Sequence, residues 1–277
     1  MSQVTLDRPD RPDGPPNPVR PAQPPPSPLL IGGILGAVAV TVVAGWAIDF
    51  SLAPVIEQWP MLTMILEEVV HPEWAEITDP SSRLWTALKE TAAIAIIATF
   101  VGSLIALGVA LLGSKVSAPP AVYRVTKPVM SVIRSLPDMA YALVFVAVVT
   151  GPLPGILALT IFNIGIVAKL TAESIDAVDP GPLEALDAAG ATRWQRARVA
   201  IVPAVLPNYA SYVLYVFELN IRASVVLGAV GAGGIGQLIM LYFNRADYAR
   251  LAAVVIVIFV VVIAIDLLSQ FLRRRLV

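Results

Sequence analysis

The sequence predicts an all-α, polytopic membrane protein of about six transmembrane helices, and three observations predict it. Hydrophobic residues fill 57% of the 277 positions and charged ones 14%, with a mean hydropathy of +0.78. That balance is far too apolar for a water-soluble domain. Uncharged apolar runs recur at lengths near the ~20 helical residues that cross ~30 Å of hydrocarbon. The basic residues are segregated as well: with both termini cytoplasmic, 14 of the 19 Lys and Arg fall on inner segments, and only Arg83, Lys89, Arg222, Arg245 and Arg250 fall outside. There is no cysteine and one histidine, His71, which excludes disulfides, thiolate chemistry and His/Cys metal clusters.

Residues 1–28 form a polar, Pro-rich tail that cannot bury a core and is expected to be disordered and cytoplasmic. Its long polar leader and the apolar run behind it read as an uncleaved anchor, not a signal peptide. The first span is expected within 29–50. An outer acidic loop follows at 51–83: from Asp49 to Asp79 there are seven acids and no Lys or Arg, and 59–70 suits an interfacial helix.

The remaining 84–277 make one core. Its second span is expected at 89–112, followed by an inside loop carrying Lys115, Arg124, Lys127 and Arg134. The apolar run 139–150 is too short to span alone. Joined to the amphipathic 122–133 it makes a broken helix, with Pro137 and Asp138 at the break, where proline removes a backbone donor. Further spans are expected at 155–169, 205–219 and 251–268, the last ending in Arg273, Arg274 and Arg275.

Between the fourth and fifth spans lies a charged insert, EALDAAGATRWQRARVAIVPAVLP, from Glu184 to Pro207. Asp179, Pro180 and Pro182 start a capped helix, Gly190 breaks it, and Thr192 caps a second one, giving a helix-turn-helix in the cytoplasm at about 180–200. Its spacing has Glu184-Ala185, Gly190 six residues after Glu184, and Pro203 thirteen after Gly190. That pattern resembles the EAA loop of bacterial ABC-importer permeases, with Leu186, Ala200 and Val202 departing from the usual residues. A plainer reading is a basic amphipathic loop that only sets topology.

The runs KLTAESIDAVDPGPLEALDAAGA, FELNIRASVVLGAVGAGGIGQLI and ALVFVAVVTGPLPGILAL extend the resemblance over roughly 85–270. They look like the phosphonate-importer permease subfamily; methionine-importer permeases are similar in the insert and the Gly-rich segment. The resemblance implies a type I ABC importer permease in the bacterial cytoplasmic membrane. It implies a second permease chain, identical or paralogous, two cytoplasmic ATPase subunits that bind ATP and Mg, and an extracytoplasmic phosphonate-binding protein. It implies no cofactor on this chain, no enzymatic activity of its own and no nucleic-acid partner. In the family the insert is the coupling helix, which assigns ATPase contact to Glu184, Ala185, Gly190, Arg193 and Trp194.

Other residues are singled out by their chemistry. Glu218 and Arg222 stand four apart near the end of the expected fifth span, where charge is costly and marks either a structural pair or an aqueous path. A free Arg222 would offer a bidentate phosphonate contact, and Asn220 and Ser224, also four apart, would add neutral donors along the substrate path. Gly231, Gly233, Gly234 and Gly236 match G-x-G-x-x-G letter for letter, but no βαβ unit surrounds them; they read as a close-packed segment or gate, with Pro137 shaping the other half of the path. Lys169 and Glu173 read as a stabilising pair, and Asp266 with Arg273 as a helix-end anchor. An intramembrane protease would need paired acids or a Ser/His dyad, and an ATPase a G-x-x-x-x-G-K-[ST] loop; neither is present. A membrane sensor or scaffold stands as the non-transport alternative.

Overall fold

The computed structural model describes residues 27–275 and divides into two units, 1–59 and 60–277. The expectation for the Pro-rich tail therefore falls mostly outside the described residues. In the first unit, α1 (Pro28–Ala47) starts where the Ser27 hydroxyl accepts the Leu30 N–H at 3.2 Å, with Pro28 in the first turn. It is apolar on every side and buries no residue, the pattern of a helix built for lipid. α2 (Ala53–Glu57) follows.

The second unit begins with α3 (Trp59–Val70), which keeps the bounds the sequence suggests, and the single turn α4 (Ala75–Thr78). α4 is docked: Trp85 Nε1 donates to the Ile77 carbonyl at 3.1 Å, and the Glu73 N–H donates to the Ala249 carbonyl at 3.1 Å. α5 (Arg83–Gly113) runs 31 residues, about 46 Å at 1.5 Å per residue, so it outreaches a ~30 Å hydrocarbon slab. The bent pair α6 (Pro120–Ser135) and α7 (Asp138–Val146) turns through 78° at Leu136-Pro137. α8 (Leu153–Asp176) leads into the insert, α9 (Pro180–Ala188) and α10 (Arg193–Arg196). A π-helical turn, Ala197–Ile201, carries the chain into α11 (Val202–Ala229). After the glycines come α12 (Ile235–Asn244) and α13 (Tyr248–Arg273). Among the described residues, five helices are long and apolar enough to cross a membrane, and the bent pair taken as one span makes a sixth.

The core is a seam of small residues. Ala98 of α5 packs in one buried cluster with Ala158 of α8, and Ala106 and Ala110 in another with Ala168, all with no exposed surface. A Cβ on Gly102 would sit 2.8 Å from Asn163 Cβ, so the two backbones are as near as glycine allows. Close approach through small residues is how helices bind one another when burial gives no advantage over lipid.

The spans run longer than the sequence reading gave them, α5 starting at Arg83 and not 89 and α8 ending at Asp176 and not 169. The fifth span does not stop at 219: α11 continues to Ala229 because Glu218 and Arg222 are partners one turn apart and satisfy each other within the helix. α12 was not expected at all; its ten residues follow a turn whose glycines obscure the helical periodicity.

Candidate functional site

The insert folds into a hairpin whose every turn is written in its sequence. Asp179 Oδ1 accepts the Gly181 N–H at 2.9 Å, and Pro180 begins α9 where no donor is needed. Gly190 sits at φ +74 with nothing within 4 Å of a prospective Cβ, so it serves backbone conformation and not space. Thr192 and Gln195 form a reciprocal capping box on α10, and Arg196 reaches Asp187 at 3.1 Å, tying α10 to α9. Leu183 and Ile201 anchor the hairpin in the same core cluster as Ala168, Ile175 and Val205. Its other face carries Glu184, Ala185, Arg193 and Trp194, all exposed, Trp194 at 71%.

On α11, Glu218 is shared. Its Oε1 pairs with Arg222 and its Oε2 accepts from Arg273 of α13 at 3.3 Å. The carboxylate side chain is 7% exposed, against 48% for Arg222 and 28% for Arg273. One carboxylate between two guanidiniums leaves one positive charge in surplus where α11 meets the last turn of α13. Arg273, which the sequence reads with Asp266 as a helix-end anchor, reaches across to Glu218, while Asp266 accepts from Gln270 at 3.0 Å. The 55 residues separating Glu218 from Arg273 leave no local signal for this contact.

Asn220 and Ser224 stand apart from that pair. Asn220 is fully buried and its Nδ2 donates to Thr99 Oγ1 at 2.8 Å; Ser224, 2% exposed, donates to the Ile221 carbonyl. Both lie in the packed seam, not on the open face where a path residue was expected. At ~100° per residue, Asn220 is ~200° round the helix from Glu218, a signal the sequence did hold.

The glycine-rich turn is a contact between backbones. Gly231, Gly233 and Gly234 have φ of +98, +90 and +73, and a Cβ on Gly236 would lie 1.9 Å from the Val225 carbonyl oxygen. Gly233 packs on Glu90 and Pro152, Gly234 on Thr91. Pro137 is exposed and caps α7 at the 78° bend, while Asp138 Oδ1 accepts the Met139 N–H at 2.8 Å. Among the described residues no group of three or more His, Asp or Glu is arranged to hold a metal ion.

With that geometry in view, comparison with known proteins is decisive. A family model described as "Binding-protein-dependent transport system inner membrane component" matches residues 102–277. The phosphite transport system permease protein PtxC of Stutzerimonas stutzeri is 34% identical over 249 residues, 88% of this chain and 89% of the relative. The phosphate-import permease protein PhnE of Mycolicibacterium smegmatis is 39% identical over 70% of this chain, although the match spans only 37% of that longer relative. The inward-facing MetNI methionine ABC transporter includes a chain that superposes with a TM-score of 0.63 at 24% identity, covering 72% of this chain and 99% of that one, which establishes the type I importer permease fold. Helix content, hairpin and sequence together make this chain a member of the binding-protein-dependent transport system inner membrane component family.

Proposed function

We propose that the chain is one permease subunit of an ATP-driven importer for a phosphorus oxyanion: phosphonate, phosphite or phosphate. The observation that carries the substrate class is Glu218 held between Arg222 and Arg273. A charge at membrane depth costs about 2.5–3.5 kcal/mol on insertion scales, so an unmatched cation is retained for something that passes it. A doubly or singly charged oxyanion suits a guanidinium's fork of donors. The relatives named for phosphite and phosphate lend support.

In this reading both termini and the 180–201 hairpin are cytoplasmic, and the glycine turn and acidic 51–83 segment are outside. Two copies of a cytoplasmic ATPase, which hold ATP and Mg, cover Trp194, Arg193, Glu184 and Ala185. An extracytoplasmic binding protein delivers the anion, and a second permease chain closes the path. The hairpin transmits force because Leu183 and Ile201 are part of the core they move, and the Arg196–Asp187 pair keeps its two helices together. ATP must favour the outward-open state to drive transport; swinging a 1:99 equilibrium to 99:1 takes about 5.5 kcal/mol of differential binding. The close-packed turn at Gly231–Gly236 and the Pro137 bend are the elements placed to gate.

The experiment is uptake of labelled phosphonate by cells lacking and regaining this chain, competed with unlabelled phosphate, phosphite and methionine. Recovery blocked by the phosphorus oxyanions is the expected result. Blocking by methionine alone would keep an importer and overturn the substrate.

A further inference from the structure

A pocket of about 470 Å³ lies between α6, α8 and α11, lined by Arg134, Lys169, Glu173 and Tyr215 with Ile166 and Leu170. These polar side chains come from three separate helices, two of them long and apolar enough to cross a membrane and the third part of the bent span. Lys169 is answered by Glu173 at 2.7 Å. Arg134 is the second cation of the lining, so the pocket carries one positive charge beyond neutrality, with a tyrosine hydroxyl beside it. A Cβ on Gly165 would lie 2.8 Å from Arg134 Cγ, so the glycine is what lets the stem of the arginine approach α8.

The pocket shares a face with the charge cluster already described. Tyr215 and Arg222 are seven residues apart on α11 and both are exposed, which stacks them two turns apart, about 10 Å along the helix. Glu173 also lines a neighbouring cavity of about 530 Å³ with Ser174, Asn208, Tyr212 and Asp179, where the Ser174 and Tyr212 hydroxyls are 2.9 Å apart. The two cavities share Glu173 and together run from Tyr215 to the base of the 180–201 hairpin, on the face of α11 that carries Arg222 one step further along. The exposed faces of α5 and α13 hold Phe100, Leu104, Phe259 and Ile263 instead. Ionisable groups within membrane helices face a bundle interior or water, not lipid, and broken helices recur where transported ions are held.

We propose that this pocket is a second oxyanion subsite, one step along the route from Arg222, in which Arg134 binds a tetrahedral phosphorus oxyanion through two N–H donors, Tyr215 donates a third hydrogen bond and Lys169 supplies a point charge. Glu173 limits the surplus to a single charge, which keeps binding weak enough for the anion to leave. The assignment rests on the reading that this chain carries a phosphorus oxyanion.

The chain contains no cysteine, so one introduced thiol is the only one on it, and labelling is read on this chain after separation from its partner subunits. The test uses Tyr215→Cys in the full transporter in membrane vesicles, labelled with methanethiosulfonate reagents that differ only in carrying a sulfonate or an ammonium. Phe259→Cys on the apolar face of α13 is the unreactive control. The sulfonate reagent is expected to react about tenfold faster than the ammonium one, the scale of counter-ion enrichment in a singly charged cleft. Millimolar phosphite or methylphosphonate is expected to slow that labelling several-fold. Arg134→Gln should remove both the preference and the protection, and Arg134→Lys should keep the preference while losing most of the protection. Equal rates for the two reagents, or no protection by either anion, would overturn the subsite. Anion-selective, protected labelling in a chain that supports no phosphorus uptake would leave the pocket standing and sink the transport reading; phosphorus uptake without selectivity or protection would do the reverse.

Discussion

The Thr91 hydroxyl of α5 accepts the backbone N–H of Ile235 at 2.7 Å while donating to the Ala87 carbonyl at 2.9 Å. α12 is therefore capped from another helix, 144 residues away in the chain. Its own N-cap position is Gly234, at φ 73 and ψ −165, backbone that in practice only glycine adopts and that brings no side-chain acceptor. The cap and the glycine are two halves of one solution: the glycine lets the turn press against α5, and α5 returns the missing hydrogen bond.

Thr91→Val keeps the shape and removes the hydroxyl, leaving a buried N–H without a partner. A loss of about 1–3 kcal/mol is expected, read as a lower midpoint of thermal unfolding in detergent. Thr91→Ser should recover most of it.

Two glycines should answer alanine differently. Gly236→Ala places a Cβ against the Val225 carbonyl, which no side-chain motion relieves, and is expected to abolish accumulation of folded chain. Gly190→Ala meets no atom and should cost only the left-handed backbone, about 1–2 kcal/mol. Gly190→Pro is incompatible with φ +74 and deletes the donor to the Asp187 carbonyl; the variant should insert in the membrane yet lose stimulated ATP hydrolysis, as should Glu184→Arg. Normal uptake by either would remove the hairpin from the coupling role.

Breaking the shared carboxylate should be graded by what it strands. Glu218→Gln leaves two guanidiniums without their anion and should lower the unfolding midpoint most. Arg273→Gln should come next and Arg222→Gln last, since Arg222 is nearly half exposed and water replaces its partner. A midpoint unchanged in Glu218→Gln would show that the triad adds nothing to stability.

The α4 segment should loosen in alkali. Tyr242 donates to Glu76 at 2.9 Å, and burial, with Glu76 beside it, pushes the phenol up to about 12. A raised folded value means the contact's contribution is complete below the ordinary ~10 of a free tyrosine and is lost as pH climbs through about 12. Hydrogen–deuterium exchange at Ala75–Thr78, corrected for its intrinsic pH dependence, should quicken across that window. Tyr242→Phe should exchange fast throughout and show no such step.

Much of this was legible in the residues. Ser27 and the uncharged run behind it mark α1, and Asp179, Pro180, Gly190 and Thr192 spell out the hairpin turn by turn, because caps and breakers act over three or four residues. Glu218 with Arg222 was equally readable, being one helical turn. The contacts that give those residues their setting were not: Arg273 on Glu218, Thr91 on Ile235, and Arg134 beside Lys169 join helices through packing, and a single sequence records no such pairing. Asn220 and Ser224 fall between these cases, since spacing from Glu218 puts them on the far side of α11 but only the α5 contact says what they touch.

The 78° bend at Pro137 has a mechanical consequence. α6 lies on α5 and α8, and α7 on α8 and α11. Because cos 78° is about 0.2 and sin 78° is close to 1, a displacement of the pair along the α6 axis is almost wholly crosswise to α7. A lengthwise push on α6 would therefore reach α11 as a sideways displacement of α7.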